Sequence, residues 1–175
     1  TANAQSLDGD DISGWVDFDS PLSRLLEEPG SSEDSHTFTF DVTPDDSLEA
    51  GTQVAIGIQG RAGSEIGCEK ILTVTVGQEF GASMSLSKSR LSNVEPGTSG
   101  TLSIQITNQG NGQETMALGT SGVPPGWQVS FSQSTVTLGS SQSSNNKETV
   151  SVDIFVPEDA SAESDTVISF TVGRG

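Results

Sequence analysis

The sequence predicts an all-β protein of two β-sandwich modules in tandem. Three observations predict it. Apolar residues alternate with polar ones in seven separate stretches, turn-forming residues separate those stretches, and one ordered set of motifs occurs twice, about 112 residues apart. Strict alternation is the pattern of a strand with one buried and one wet face, and a disordered chain has no reason to keep it.

In chain order, the first module opens on Ser13-Gly14-Trp15-Val16-Asp17-Phe18, a turn leading into an extended segment. Pro21 to Glu28 is the sole helix candidate, a turn or two at most, because so short a helix barely offsets its nucleation cost. His36 begins an alternating row that continues through Phe38, Phe40 and Val42. Val54, Ile56 and Ile58 form the next row, then Leu72, Val74 and Val76. In the second module Leu102, Ile104 and Ile106 alternate with Thr101, Ser103, Gln105 and Thr107. Val129 with Phe131, then Val150 to Val156, then Ile168, Phe170 and Val172 complete the set. Between them lie Glu95-Pro96-Gly97, Asn108-Gln109-Gly110-Asn111-Gly112 and Pro124-Pro125-Gly126, residues that turn the chain.

The duplication ties these elements together. Gly14-Trp15 matches Gly126-Trp127, Val42-Thr43-Pro44 matches Phe155-Val156-Pro157, and Thr52 to Ile58 matches Thr166 to Val172. Trp127 follows Trp15 by 112 positions, Pro157 follows Pro44 by 113, and Ile168 follows Val54 by 114. Drifts of one residue are what loops and bulges absorb. The period suits one immunoglobulin-like sandwich, about 100 residues of antiparallel sheets with Greek-key connections. Residues 1–80 then form the C-terminal part of a first module, and 81–175 form a second module without its last strand. The chain reads as a fragment bounded inside modules, and it is expected to pair or swap strand edges in a homo-oligomer.

The order of motifs in 81–175 resembles bacterial and archaeal extracellular Ig-like modules of the cell-adhesion-related and NEW3 (alpha-galactosidase-associated) type. The residues that carry the resemblance are Pro96-Gly97, Asn108-Gln109-Gly110, Pro124-Pro125-Gly126-Trp127, the row Val150 to Val156 with Pro157, and Glu158-Asp159-Ala160 before the last strand. Residues 13–60 repeat the second half, including Glu49-Ala50-Gly51-Thr52, whereas 163–165 of the second copy are Glu-Ser-Asp where the pattern has Gly. The resemblance implies a fold and a setting, spacer or adhesion modules at a cell surface or accessory modules beside secreted hydrolases. It brings no shared catalytic residues.

Composition narrows the partners. Asp plus Glu number 24 against 7 Lys plus Arg, a net charge of −17. Such a field repels nucleic acid and anionic lipid, and no stretch approaches the roughly 20 apolar residues of a membrane span. No nucleic-acid partner and no membrane insertion are therefore expected. The same field favours solubility in saline surroundings and attracts divalent cations.

Candidate chemistry is sparse. A hydrolytic triad needs a base, and the single histidine, His36, reads as a solvated strand-edge residue. Cys68, the single cysteine, reads as an inert, partly buried thiol or as half of a disulfide whose partner lies in another part of the protein. Zinc would need ligands that are not there. Calcium wants clustered oxygens, and Asp8, Asp10 and Asp11 are the candidate ligands, with Asp45, Asp46 and Glu49 in a second acidic turn. Neither set has the EF-hand spacing, so the competing reading is a solvated turn. Trp15 and Trp127 hold equivalent positions, which points to packing at a sandwich end rather than to sugar stacking. The sequence thus predicts no cofactor other than calcium, no enzyme, and an extracellular or cell-surface chain of structural or adhesion modules. An accessory carbohydrate- or protein-binding module is the alternative.

Overall fold

The computed structural model describes residues 2–7, 11–12, 14–19, 23–161 and 166–175. They are all-β: twelve strands in antiparallel sheets, with no helix among the described residues. The chain divides into two compact units, Thr1–Gly77 and Gln78–Gly175. The division falls three residues before the position read from the sequence, because Gln78, Glu79 and Phe80 are held within the second unit. Gln78 Nε2 donates to Gln113 O, Glu79 N donates to Asn111 Oδ1, and the Arg174 guanidinium sits 3.8 Å above the Phe80 ring.

In the first unit β1 (Ala2–Ser6), β4 (Gln53–Ala62) and β5 (Glu65–Thr75) form one sheet in the order β1-β4-β5. β2 (Val16–Phe18) and β3 (Phe40–Val42) form a separate short ladder. Trp15, Val54 and Ile56 are the buried apolar residues of the first unit's core, with Ile12, Val16, Val42, Leu48, Ile58 and Val74 packed around them. On the opposite face of β4, Gln59 is buried and satisfied: its Nε2 donates to Glu69 Oε1 at 2.8 Å and its Oε1 accepts from Arg61.

The helix candidate does not form over its described part. Residues 23–27 are irregular, Leu25 is 90% exposed, and Arg24 pairs with Glu33 across the following turns. Leu25 is left almost wholly in solvent and Leu26 half so, and packing is what sustains a short helix. Residues 35–39 are also strand-free, so His36 and Phe38 precede β3 rather than begin it.

The second unit has two sheets over one core, an arrangement consistent with a β-sandwich. β6 (Ala82–Leu86), β7 (Ser99–Asn108), β11 (Lys147–Phe155) and β9 (Gln128–Phe131) pair in the order β6-β7-β11-β9. β10 (Thr135–Leu138), β8 (Glu114–Ser121) and β12 (Ser169–Arg174) pair in the order β10-β8-β12. Leu102, Ile104 and Ile106 of β7 and Val150, Val152 and Ile154 of β11 meet Met116 of β8 and Val136 and Leu138 of β10 in a single buried cluster. The period-two rows read from the sequence are the source of most of that cluster. Asn108, 1% exposed, ties the end of β7 to two loops: its Nδ2 donates to Gly112 O and Gly139 O, and its Oδ1 accepts from Gly110 N.

The two tryptophans stand in like turns. Gly14 and Gly126 have φ of +85° and +82°, a region that glycine enters at no steric cost. Trp15 N then donates to Ile12 O and Trp127 N to Pro124 O. Val16 pairs with Val42 in one unit, and Gln128 with Phe155 in the other.

Candidate functional site

A groove of about 840 Å³ lies in the second unit. One wall is the connection from β6 to β7, residues 87–98. Its first end is fixed by Ser87, whose N donates to Ser103 O and whose Oγ accepts from Ser103 N. Its other end is fixed by the exchange of Gly97 N to Val156 O and Val156 N to Thr98 O, with Thr98 Oγ1 donating to Glu95 O at 2.6 Å. Between these anchors Asn93 has a φ of +58°, alone in the left-handed region among the described non-glycine residues.

The floor of the groove is apolar: Leu91, Leu102, Ile154, Ile168 and Phe170, with the half-buried Trp127 indole delivered by the turn at Gly126. The rim is polar. Lys88 and Arg90, both exposed, lie along it with Ser89, Ser92 and Glu95. Two of the seven cations of a chain carrying −17 thus border one groove. The volume is in the range of small-molecule pockets, which join an apolar lining to a few polar groups. The arrangement can hold an apolar body with a polar or anionic edge; its lining offers no histidine and no thiol.

Of the residues weighed for chemistry in the sequence, Trp127 lines this groove. Trp15 is 8% exposed, inside the first unit's core. His36 is exposed and edge-on to Phe38, ring centroids 4.8 Å apart. Cys68 is exposed, which corrects the partly buried thiol of the sequence reading. The cause is local: β5 ends its sheet, and Gly60, opposite Cys68, has no side chain to cover the sulfur. Asp8 and Asp10 lie outside the described residues; Asp11 is exposed. In the second acidic turn Asp45 Oδ1 accepts from Ser47 N at 2.8 Å. Hydrogen bonds from the Ser47 side chain and backbone hold the Asp45 carboxyl below its ordinary pKa. Among the described residues no group of three or more His, Cys, Asp or Glu is placed to hold a metal.

The groove was missed in the sequence because its floor is assembled from five separate segments. The signal that could have found its rim is Lys88-Ser89-Arg90, a cationic pair in an acidic chain. In comparisons with known proteins, no family model, no curated protein and no solved structure matches the chain. No helix of the described residues is long and apolar enough to cross a membrane.

Proposed function

We propose that the chain is a pair of non-catalytic structural or adhesion modules from a secreted or cell-surface protein, each unit an immunoglobulin-like, Greek-key variant of one sandwich. The observation that carries this reading is the equivalence of registers. β1 and β8 pair with β4 and β12 in the same way: Ser6 faces Ile56 and Ala4 faces Ile58, as Thr120 faces Phe170 and Leu118 faces Val172. Together with the like turns at Trp15 and Trp127, this supports duplication of β1, β2, β3 and β4 as β8, β9, β11 and β12. The motif resemblance to NEW3-type modules supports the setting.

A spacer or adhesion module must bear load, so single-molecule pulling tests the reading. Two separate unfolding events are expected, the larger releasing about 98 residues at about 3.5 Å each from Gln78–Gly175. A chain that extends without discrete events is no load-bearing array. The groove favours the second reading, an accessory module that binds a carbohydrate or protein segment of a substrate. A glycan array probed with the chain and with Trp127→Ala separates the two: binding lost in the variant supports the accessory module.

A further inference from the structure

We propose that Asn111-Gly112, in the turn between β7 and β8, modifies itself. Gly112 N closes on Asn111 Cγ, the Glu79 N–H stabilises the oxyanion, and the asparagine becomes aspartate or isoaspartate without an enzyme. The site is independent of the module reading and of the groove.

The argument begins with the sequence. Of the six asparagines only Asn111 precedes a glycine; the others precede Ala4, Val94, Gln109, Asn146 and Lys147. An asparagine side-chain carbon lies within one ring closure of the next backbone nitrogen, and glycine presents that nitrogen with no Cβ to crowd it. The fold then adds three conditions. Residues 109–113 lie outside any strand, so Gly112 N is not tied into a ladder, and it donates none of the hydrogen bonds among the described residues. Both Asn111 and Gly112 are only half-buried, which leaves water within reach. Glu79 N donates to Asn111 Oδ1 at 2.7 Å, and an N–H so placed faces the negative charge that develops on that oxygen during attack. The turn is held in this position from both sides. Gln109 N donates to Gly81 O and Ser141 N to Gly110 O, and a Cβ on Gly110 would collide with Glu79 O.

The chemistry needs only water. Solvent base takes the Gly112 N proton, and the nitrogen attacks Asn111 Cγ to close a succinimide ring. Negative charge passes to Oδ1, opposite the Glu79 N–H. The bond from Cγ to Nδ2 then breaks, and Nδ2 takes a proton and leaves as ammonia. Water next adds to one of the two imide carbonyls. Addition at Cγ breaks its bond to Gly112 N and gives aspartate in a normal backbone. Addition at the α-carbonyl breaks the original peptide bond and gives isoaspartate, with the main chain running through Cβ and Cγ. Each event adds a negative charge to a chain that already carries −17. Isoaspartate also lengthens the main chain by a methylene next to Gly112, whose O is one of the two carbonyls that the buried Asn108 amide serves. Conversion therefore loosens the end of β7, and the second unit loses stability as the chain ages.

The test is incubation of the full folded chain at mildly alkaline pH, followed by intact mass, peptide mapping and isoaspartyl methyl labelling of the peptide that holds Asn111. A free peptide of residues 108–113, incubated alongside, reports the rate without the fold. The folded chain is expected to convert at Asn111 faster than the peptide, with the other asparagines intact. Glu79→Pro keeps the Asn-Gly pair and removes the donor. A donor in a closed oxyanion hole is worth about a hundredfold or more; this one is open to water, so the variant should convert about tenfold more slowly. Gly112→Ala, which crowds the attacking nitrogen, should slow conversion as well. Asn111 intact in the folded chain while the peptide converts overturns the inference, because the fold then protects the pair. An unchanged or faster rate in folded Glu79→Pro also overturns it. Should that variant not fold, by tryptophan fluorescence, the comparison of chain with peptide still decides.

Discussion

Among single residues, Asn108 is where polar chemistry most directly fixes the fold. It is 1% exposed at the end of β7, and its amide serves three backbone groups from two different loops. Removing it leaves the two carbonyls and one N–H without those partners, in surroundings where an unmet group is costly. Asn108→Ala is expected to destabilise the second unit by about 3 kcal/mol, read as a shift in the denaturation midpoint of Trp127 fluorescence in a Trp15→Phe background. The sequence showed Asn108 as a turn residue, whereas it is the last residue of β7 and the turn follows it. Its burial was not legible there, because Gly139 reaches it from 31 residues away. Cys68 shows the reverse: a residue type usually buried is exposed because its cross-strand neighbour is a glycine.

At the scale of elements, burial separates strands that carry the fold from strands that border it. β7 and β11 each place three buried apolar residues in the core, and their alternation made both legible. β8 and β10 were harder to read, since Met116 with Leu118 and Val136 with Leu138 give only two inward positions each. β1, Ala-Asn-Ala-Gln-Ser, carries no large apolar residue at all and is recruited by pairing with β4. These differences have energetic consequences. Ile104→Ala, at a site with 0% exposure, is expected to cost the second unit about 3 kcal/mol. Ile71→Ala, on the outward face of β5 at 64% exposure, should change the first unit by no more than about 0.5 kcal/mol. Urea denaturation followed at Trp127 and Trp15 respectively checks both. The groove belongs to this scale too: no single segment encodes it, and its floor draws on the 87–98 connection, β7, the turn at Gly126, β11 and β12.

For the whole molecule, two separate cores predict two unfolding transitions. Nine buried apolar residues hold the main core of the second unit, and three hold that of the first. Apolar burial is the dominant stabilising term, so the first unit should melt at the lower temperature. Scanning calorimetry is expected to resolve two peaks, and Trp15→Ala should lower only the earlier one. A single peak unaffected in position by Trp15→Ala would mean that the cores are not independent. The sheet partners within each unit were not legible, since pairing depends on contacts far apart in sequence.

The stretch between β2 and β3 has a different kind of value. Residues 19–39 connect two three-residue strands, and those described run without a strand, whereas the connection between β9 and β11 carries β10 into the core. The entropy of closing such a loop grows only with the logarithm of its length, so about ten further residues there would cost on the order of 0.3 kcal/mol. Chain length at that point is nearly free to vary. The first unit can therefore take on inserted sequence, even a small folded domain, without disturbing the pairing of β4 with its neighbours.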